Sequence, residues 1–123
     1  MTAAPDRAPL AQCLFCRIVA GDQPASVVRS TPTVLAFRDI APAGPTHVLV
    51  VPRAHVTDAS VVGSADGPLL AEMLEVARLV AEEDGVAERG YRLVFNVGDD
   101  AGNSVPHLHL HVIGGRPMAW PPG

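Results

Sequence analysis

Between residues 66 and 83 the apolar positions recur with a helical period. Leu69, Leu70, Met73, Leu74, Ala77, Val80 and Ala81 share one face, which predicts an amphipathic helix over 66–83. Pro68 suits its first turn and Gly85 its end. Elsewhere the pattern shortens to that of strands. Residues 27–29 and 34–37 read as two short strands joined by a turn at 30–32, and 91–96 as another. His47 opens a β-prone run, Val48, Leu49, Val50 and Val51, which Pro52 stops. Residues 107–113 form the last long strand, ended by Gly114 and Gly115, and 13–20 predict a short helix ended by Gly21 and Asp22. Pro- and Gly-bearing segments at 39–45 and 98–103 are loops. The order of strands, one long helix, then strands predicts an α+β fold: a mostly antiparallel sheet of about five strands with one long helix and a short N-terminal helix. The Ala/Pro-rich residues 1–11 are expected to be a flexible tail, and 12–123 one domain.

Composition narrows the function. The chain is 48% apolar but only 4% aromatic, so its core is aliphatic. Few aromatics and a formal net charge of -4 argue against nucleic acid and anionic membranes as partners. A small phosphate ligand needs only local N–H donors and stays open. No apolar run reaches the ~18 residues of a membrane span, and the N-terminus lacks a signal-peptide pattern; the chain is expected to be cytoplasmic.

The five histidines fall in two places: His47 and His55, then His107, His109 and His111. In an extended strand the last three point one way, ~6.6–7 Å apart, while Leu108, Leu110 and Val112 point into a core. Their outer pair would lie ~13 Å apart, too wide for one zinc with bonds near 2.1 Å. Nucleophilic or acid–base chemistry is the other reading, because neutral imidazole attacks phosphorus without a separate base. Cys13 and Cys16, the only cysteines, are spaced C-x-x-C. In a reducing compartment that spacing points to metal or redox chemistry, or to a plain thiol pair, rather than a structural disulfide.

The H-x-H-x-H run at 107–111, with apolar residues between, resembles the signature of the histidine-triad (HIT) family of nucleotide hydrolases and transferases. Residues 36–47, 90–96 and 102–107 resemble other segments of that family, in order. The ending 118–123 resembles its purine nucleoside phosphoramidase branch. The resemblance covers about residues 13–123 and implies a HIT-like fold. It also implies cleavage of nucleoside 5′-phosphoramidates through a nucleotidyl-histidine intermediate, with dinucleoside polyphosphate hydrolysis or non-catalytic nucleotide or partner binding as alternatives. By resemblance, His109 is the nucleophile, His111 donates to a phosphate oxygen, and Ser104 bonds the leaving group or a phosphate oxygen. Asn96 contacts ribose and phosphate, Gly102 and Val105 lie close to the phosphate, and Asp39 takes the ribose hydroxyls. Leu14, Phe15, Ile18, Phe37, Ile40 and Leu49 look like the apolar purine slot. Asn103 departs from the Gln of many relatives. The resemblance further implies no organic cofactor and a structural Zn2+ held by Cys13, Cys16, His55 and His107. It implies a homodimer in which Trp120 reaches the partner's site. Pro106, lacking an N–H, predicts an edge or bulged start to the histidine strand.

Overall fold

The structure is a computed structural model that describes residues 7–123. A short helix α1 (Leu14–Ala20) precedes strands β1 (Val27–Ser30), β2 (Val34–Arg38) and β3 (Thr46–Pro52). Two 3-10 turns lead into helix α2 (Gly67–Glu83), and strands β4 (Tyr91–Val94) and β5 (Leu110–Gly114) follow. The strands form one sheet in the order β1-β2-β3-β5-β4, with every neighbouring pair antiparallel. The α+β fold read from the pattern is the observed one, and α2 begins one residue from its expected start.

The strand period of two sorts the sheet into two faces. Val34, Ala36, Val48, Val50, Leu110 and Val112 pack on Met73, Val76, Ala77 and Val80 of α2. Leu35, Phe37, Leu49 and Val51 face the other way and pack with Cys13, Phe15 and Cys16. Polar ends follow the same alternation: Arg38 and Thr46, in phase with the α2 face, both reach Asp84, just beyond the helix. Arg38 donates to both carboxylate oxygens at 2.7 and 3.0 Å, and the Thr46 hydroxyl donates at 2.9 Å. The Arg38 guanidinium, then the Thr46 hydroxyl, hold the Asp84 carboxyl below the usual range against the opposing effect of burial.

One boundary differs from expectation. The histidine strand enters the sheet at Leu110, not His107. Pro106 has no N–H, the His107 N–H turns back to the Val105 carbonyl at 2.9 Å, and the Leu108 N–H goes to Val56 at 2.6 Å. The body of β5 is interior, between β3 and β4; only its approach lies outside the ladder. Alternation survives the break: Leu108 joins the α2 core with Leu110 and Val112. Within the segment expected as a tail, Arg7 pairs with Asp66 at 2.6 Å, and its carbonyl accepts the His55 N–H at 2.8 Å. Residues 1–6 lie outside the described residues. Among the described residues no helix is long and apolar enough to cross a membrane.

Asp84 ties the end of α2 to two strands through charge-assisted bonds, so Asp84→Ala should lower unfolding free energy by about 2 kcal/mol. The loss should shrink as pH falls through the low native pKa, since the carboxylate contributes only when ionised. Urea titrations at neutral and acid pH test this; a variant with the wild-type midpoint at pH 7 contradicts it.

Candidate active site

His109, just before β5, and His111, within it, project onto the face opposite α2, with ring centroids 5.0 Å apart. This is closer than the backbone rise alone gives, because the rings lean together. His109 is nine-tenths buried, against the edge of Phe15 at 5.1 Å. Its Nδ1 lies 2.7 Å from the His107 carbonyl. A carbonyl only accepts, so Nδ1 carries the proton and Nε2 keeps its lone pair. That is the tautomer a nucleophilic imidazole needs.

His111 is oriented from behind by His47. The Ala43 N–H donates to His47 Nδ1 at 2.9 Å. A backbone N–H only donates, so the neutral His47 proton sits on Nε2, 2.9 Å from His111 Nδ1 and 3.5 Å from an Asp39 carboxylate oxygen. His111 therefore accepts at Nδ1 and presents Nε2–H, 3.4 Å from Asn96 Nδ2; two donors cannot bond, so Asn96 pairs with this nitrogen only with its amide turned to present the oxygen. Burial, reinforced by His109 and His47, pushes the His111 pKa down to about 4. Burial also lowers that of His47, against the opposing pull of Asp39. Both rings are neutral near pH 7, in agreement with the hydrogen bonds. His47 was not among the residues singled out from the sequence. Strand phase alone puts His47 on the face of Leu49; that Leu49 stands across from His111 is set by the β3–β5 register, which the sequence does not display.

A second cluster lies at the α1 end of the row. Cys13 caps α1, its sulfur accepting the Cys16 N–H at 3.4 Å, so the first turn brings both thiols to one side. Cys13 Sγ stands 3.4 Å and Cys16 Sγ 3.5 Å from His107 Nδ1, and Cys16 Sγ stands 3.3 Å from His55 Nδ1. His107 Nε2–H donates to the Pro52 carbonyl at 2.8 Å, leaving Nδ1 as the lone pair that faces the sulfurs. Tetrahedral bonds of 2.3 Å to sulfur and about 2.05 Å to nitrogen put S and N roughly 3.6 Å apart. The observed separations are within 0.3 Å of that, and all four donor atoms lie within 4.8 Å of one another. The cluster can hold a metal ion. Burial raises the Cys16 thiol pKa and pushes His107 down to about 4. A second convergence, Asp39 with His47 and His111, is already bridged by the His47 proton.

The other residues named from the sequence divide. Phe15, Phe37 and Leu49 are buried together under the histidines, and Phe15 meets Phe37 edge-on at 5.4 Å. Ile18 and Val105 border that cluster. Leu14 is 40% exposed and Ile40 fully exposed, so Ile40 lines no closed slot in the single chain. Asp39 is half-buried and accepts the Ala41 N–H at 2.8 Å. Ser104 and Gly102 are exposed on the loop before the histidines. The Gly102 φ of 78° is a backbone state that favours glycine. Trp120 is 83% exposed, on a tail that Arg92 holds through the Ala119 carbonyl at 3.0 Å; it makes no contact with the site of its own chain.

The chain is similar to known proteins in sequence and in fold. The HIT domain matches residues 20–118. An Arabidopsis thaliana protein named adenylylsulfatase HINT1 is 41% identical, aligned over 100% of this chain and 82% of its own length. The purine nucleoside phosphoramidase of Escherichia coli K12 is 37% identical over 87% of this chain and 90% of its own. The crystal structure of a HIT family hydrolase from Legionella pneumophila superimposes with a TM-score of 0.89 at 49% identity, covering 91% of this chain and all of that one. With the family match spanning most of the chain and the histidine row in place, the chain belongs to the HIT domain family.

Proposed function

We propose that this protein hydrolyses purine nucleoside 5′-phosphoramidates, using His109 as the nucleophile. The observation that carries the reading is the His109 tautomer: Nδ1–H is committed to the His107 carbonyl, so the Nε2 lone pair is free to attack. In the first half-reaction Nε2 bonds to the α-phosphorus and the P–N bond breaks. The electron pair leaves with the amine, which takes a proton from solvent water. The positive charge on the ring is stabilised by the Nδ1–H···O=C bond. His111 Nε2–H donates to a nonbridging oxygen, where charge builds in the transition state. Water then attacks phosphorus, the Nε2–P electron pair returns to the ring, the water gives a proton to solvent, and the nucleoside monophosphate leaves. Asp39 takes the ribose hydroxyls, Asn96 contacts ribose and phosphate, and Ser104 bonds the leaving group. Phe15, Phe37 and Leu49, with Leu14, Ile18 and Ile40, receive the base, while Gly102 and Val105 lie against the phosphate.

A second reading keeps the same attack with a different leaving group. The similarity to a protein named adenylylsulfatase favours sulfate on the adenylyl phosphorus. Dinucleoside polyphosphates are a third substrate class with the same reacting phosphorus. In all three, transfer to His109 is shared.

The Cys13, Cys16, His55 and His107 cluster is read as a zinc site that pins α1 to the histidine row. Bound there, zinc supplies rigidity rather than a reactive water. The functional unit is read as a homodimer in which Trp120 approaches the partner's leaving group.

Side-by-side rates on adenosine 5′-phosphoramidate, adenylyl sulfate and a diadenosine polyphosphate should rank the phosphoramidate first; a higher kcat/KM on either of the others replaces the substrate assignment. His109→Ala should remove turnover, by roughly 10⁴-fold or more, while AMP still binds; sustained turnover names a different nucleophile. Untagged protein purified without chelator should contain about one zinc per chain, and Cys16→Ser should lose it; metal-free wild-type protein with reduced thiols refutes the zinc site. Stability should fall as pH drops from 6.5 toward 4, because the unfolded chain takes up a proton at residue 111 that the folded chain refuses. That contribution is at most about 1.4 kcal/mol per pH unit, and it should be missing from His111→Gln; equal slopes in urea unfolding would contradict it.

A further inference from the structure

The loop at 39–45 carries the Ala43 N–H that decides where the His47 proton sits, and Arg116 grips that loop. Arg116 Nε–H donates to the Ala43 carbonyl at 2.7 Å, and a terminal N–H donates to the Pro117 carbonyl at 3.1 Å. Ala43 is thus held at both polar ends: its carbonyl by Arg116, its N–H by His47. The surroundings allow little slack. A Cβ on Gly44 would stand 3.1 Å from the Gly114 carbonyl, and one on Gly115, at φ +89°, would stand 2.8 Å from Pro45. Loop and strand end are therefore in direct backbone contact where Arg116 makes its bond.

We propose that Arg116 is a positioning residue for the histidine row. Acting through Ala43, it fixes the His47 tautomer and, through His47, the Nε2–H of His111. The chain of donors runs in one direction. Arg116 Nε–H holds the Ala43 carbonyl; the Ala43 N–H donates to His47 Nδ1; His47 Nε2–H donates to His111 Nδ1. Each ring has one nitrogen committed as acceptor, so the proton of each is left on the other. When the Arg116 bond is lost, the Ala43 N–H is no longer held on His47. His47 can then carry its proton on Nδ1, and His111 loses the donor that fixed its own. Arg116 also lines a cavity of about 450 Å³, together with Arg89 and none of the histidines.

The consequence for catalysis rests on the His111 role proposed above, but the tautomers do not. The test uses the full chain without ligand. Long-range 1H–15N spectra separate the protonated from the bare nitrogen of each ring. Wild-type protein should show His47 and His111 both protonated on Nε2. Arg116→Ala should show His111 divided between tautomers. Its kcat should fall roughly ten- to hundredfold with KM within about twofold, the pattern of a misplaced catalytic group rather than a lost binding contact. Arg116→Lys, which keeps a donor, should recover part of both, and it serves as the test variant if the alanine variant does not fold. Arg89→Ala removes a charge from the same cavity without touching the loop, and should leave tautomers and kcat unchanged. Wild-type His111 protonated on Nδ1, or wild-type tautomers in both Arg116 variants whatever their rates, would overturn the proposal. An equal loss in Arg89→Ala would do the same, since charge rather than the Ala43 bond would then be responsible. A wild-type protein inert toward phosphoramidates but with the expected tautomer change would refute only the substrate assignment.

Discussion

His107 is the residue on which the two chemical regions of this molecule both depend. Its ring donates to Pro52 on β3 and turns its lone pair toward two thiols; its carbonyl accepts the proton of His109. One residue thus aims a set of atoms able to hold a metal with its side chain, and the proposed nucleophile with its backbone. The ring is fully buried, and an imidazole left there without partners would cost about 1–3 kcal/mol per unsatisfied group. Both its nitrogens face polar atoms, so the burial is tolerable and the orientation unique. Any shift of the peptide that carries His107 moves the Cys/His cluster and His109 together.

What keeps that peptide in place is the opposite side of the same segment. Leu108, Leu110 and Val112 sink into the α2 core between the histidines, each contributing about 1.5–3 kcal/mol of burial. The imidazoles are held on one face because aliphatic side chains are held on the other. The Asp84 bonds to Arg38 and Thr46 extend this coupling to the far end of α2. The helix therefore acts at a distance from the chemistry: it presses the sheet into the shape on which the histidine row stands.

Much of this was legible in the chain itself. The α2 period, the Val-rich β3 and the alternation of His107, His109 and His111 with Leu108, Leu110 and Val112 depend on local spacing, which sequence displays directly. So does the approach of Cys13 and Cys16, three residues apart across one helical turn. The bonds that orient the rings were not legible. His47 meets His111 only because of the register between β3 and β5, and register is a property of paired strands rather than of either strand alone. Arg116 reads as one more charged residue in a Gly/Pro-rich tail until the fold brings it against Ala43, 73 positions away. The start of β5 was misplaced for a different reason. Residues 107–109 have the right pattern for a strand, but Pro106 and the turn of the His107 N–H withdraw them from the ladder.

That early exit from the ladder has a cost and a use. Carbonyls inside a sheet are taken up by a neighbouring strand, and a β5 running unbroken from His107 would add such bonds. It would also commit the carbonyl that now receives the His109 proton. The interruption trades regular sheet for an acceptor aimed at a side chain, so strengthening the sheet at this point and keeping the His109 proton on Nδ1 are competing demands.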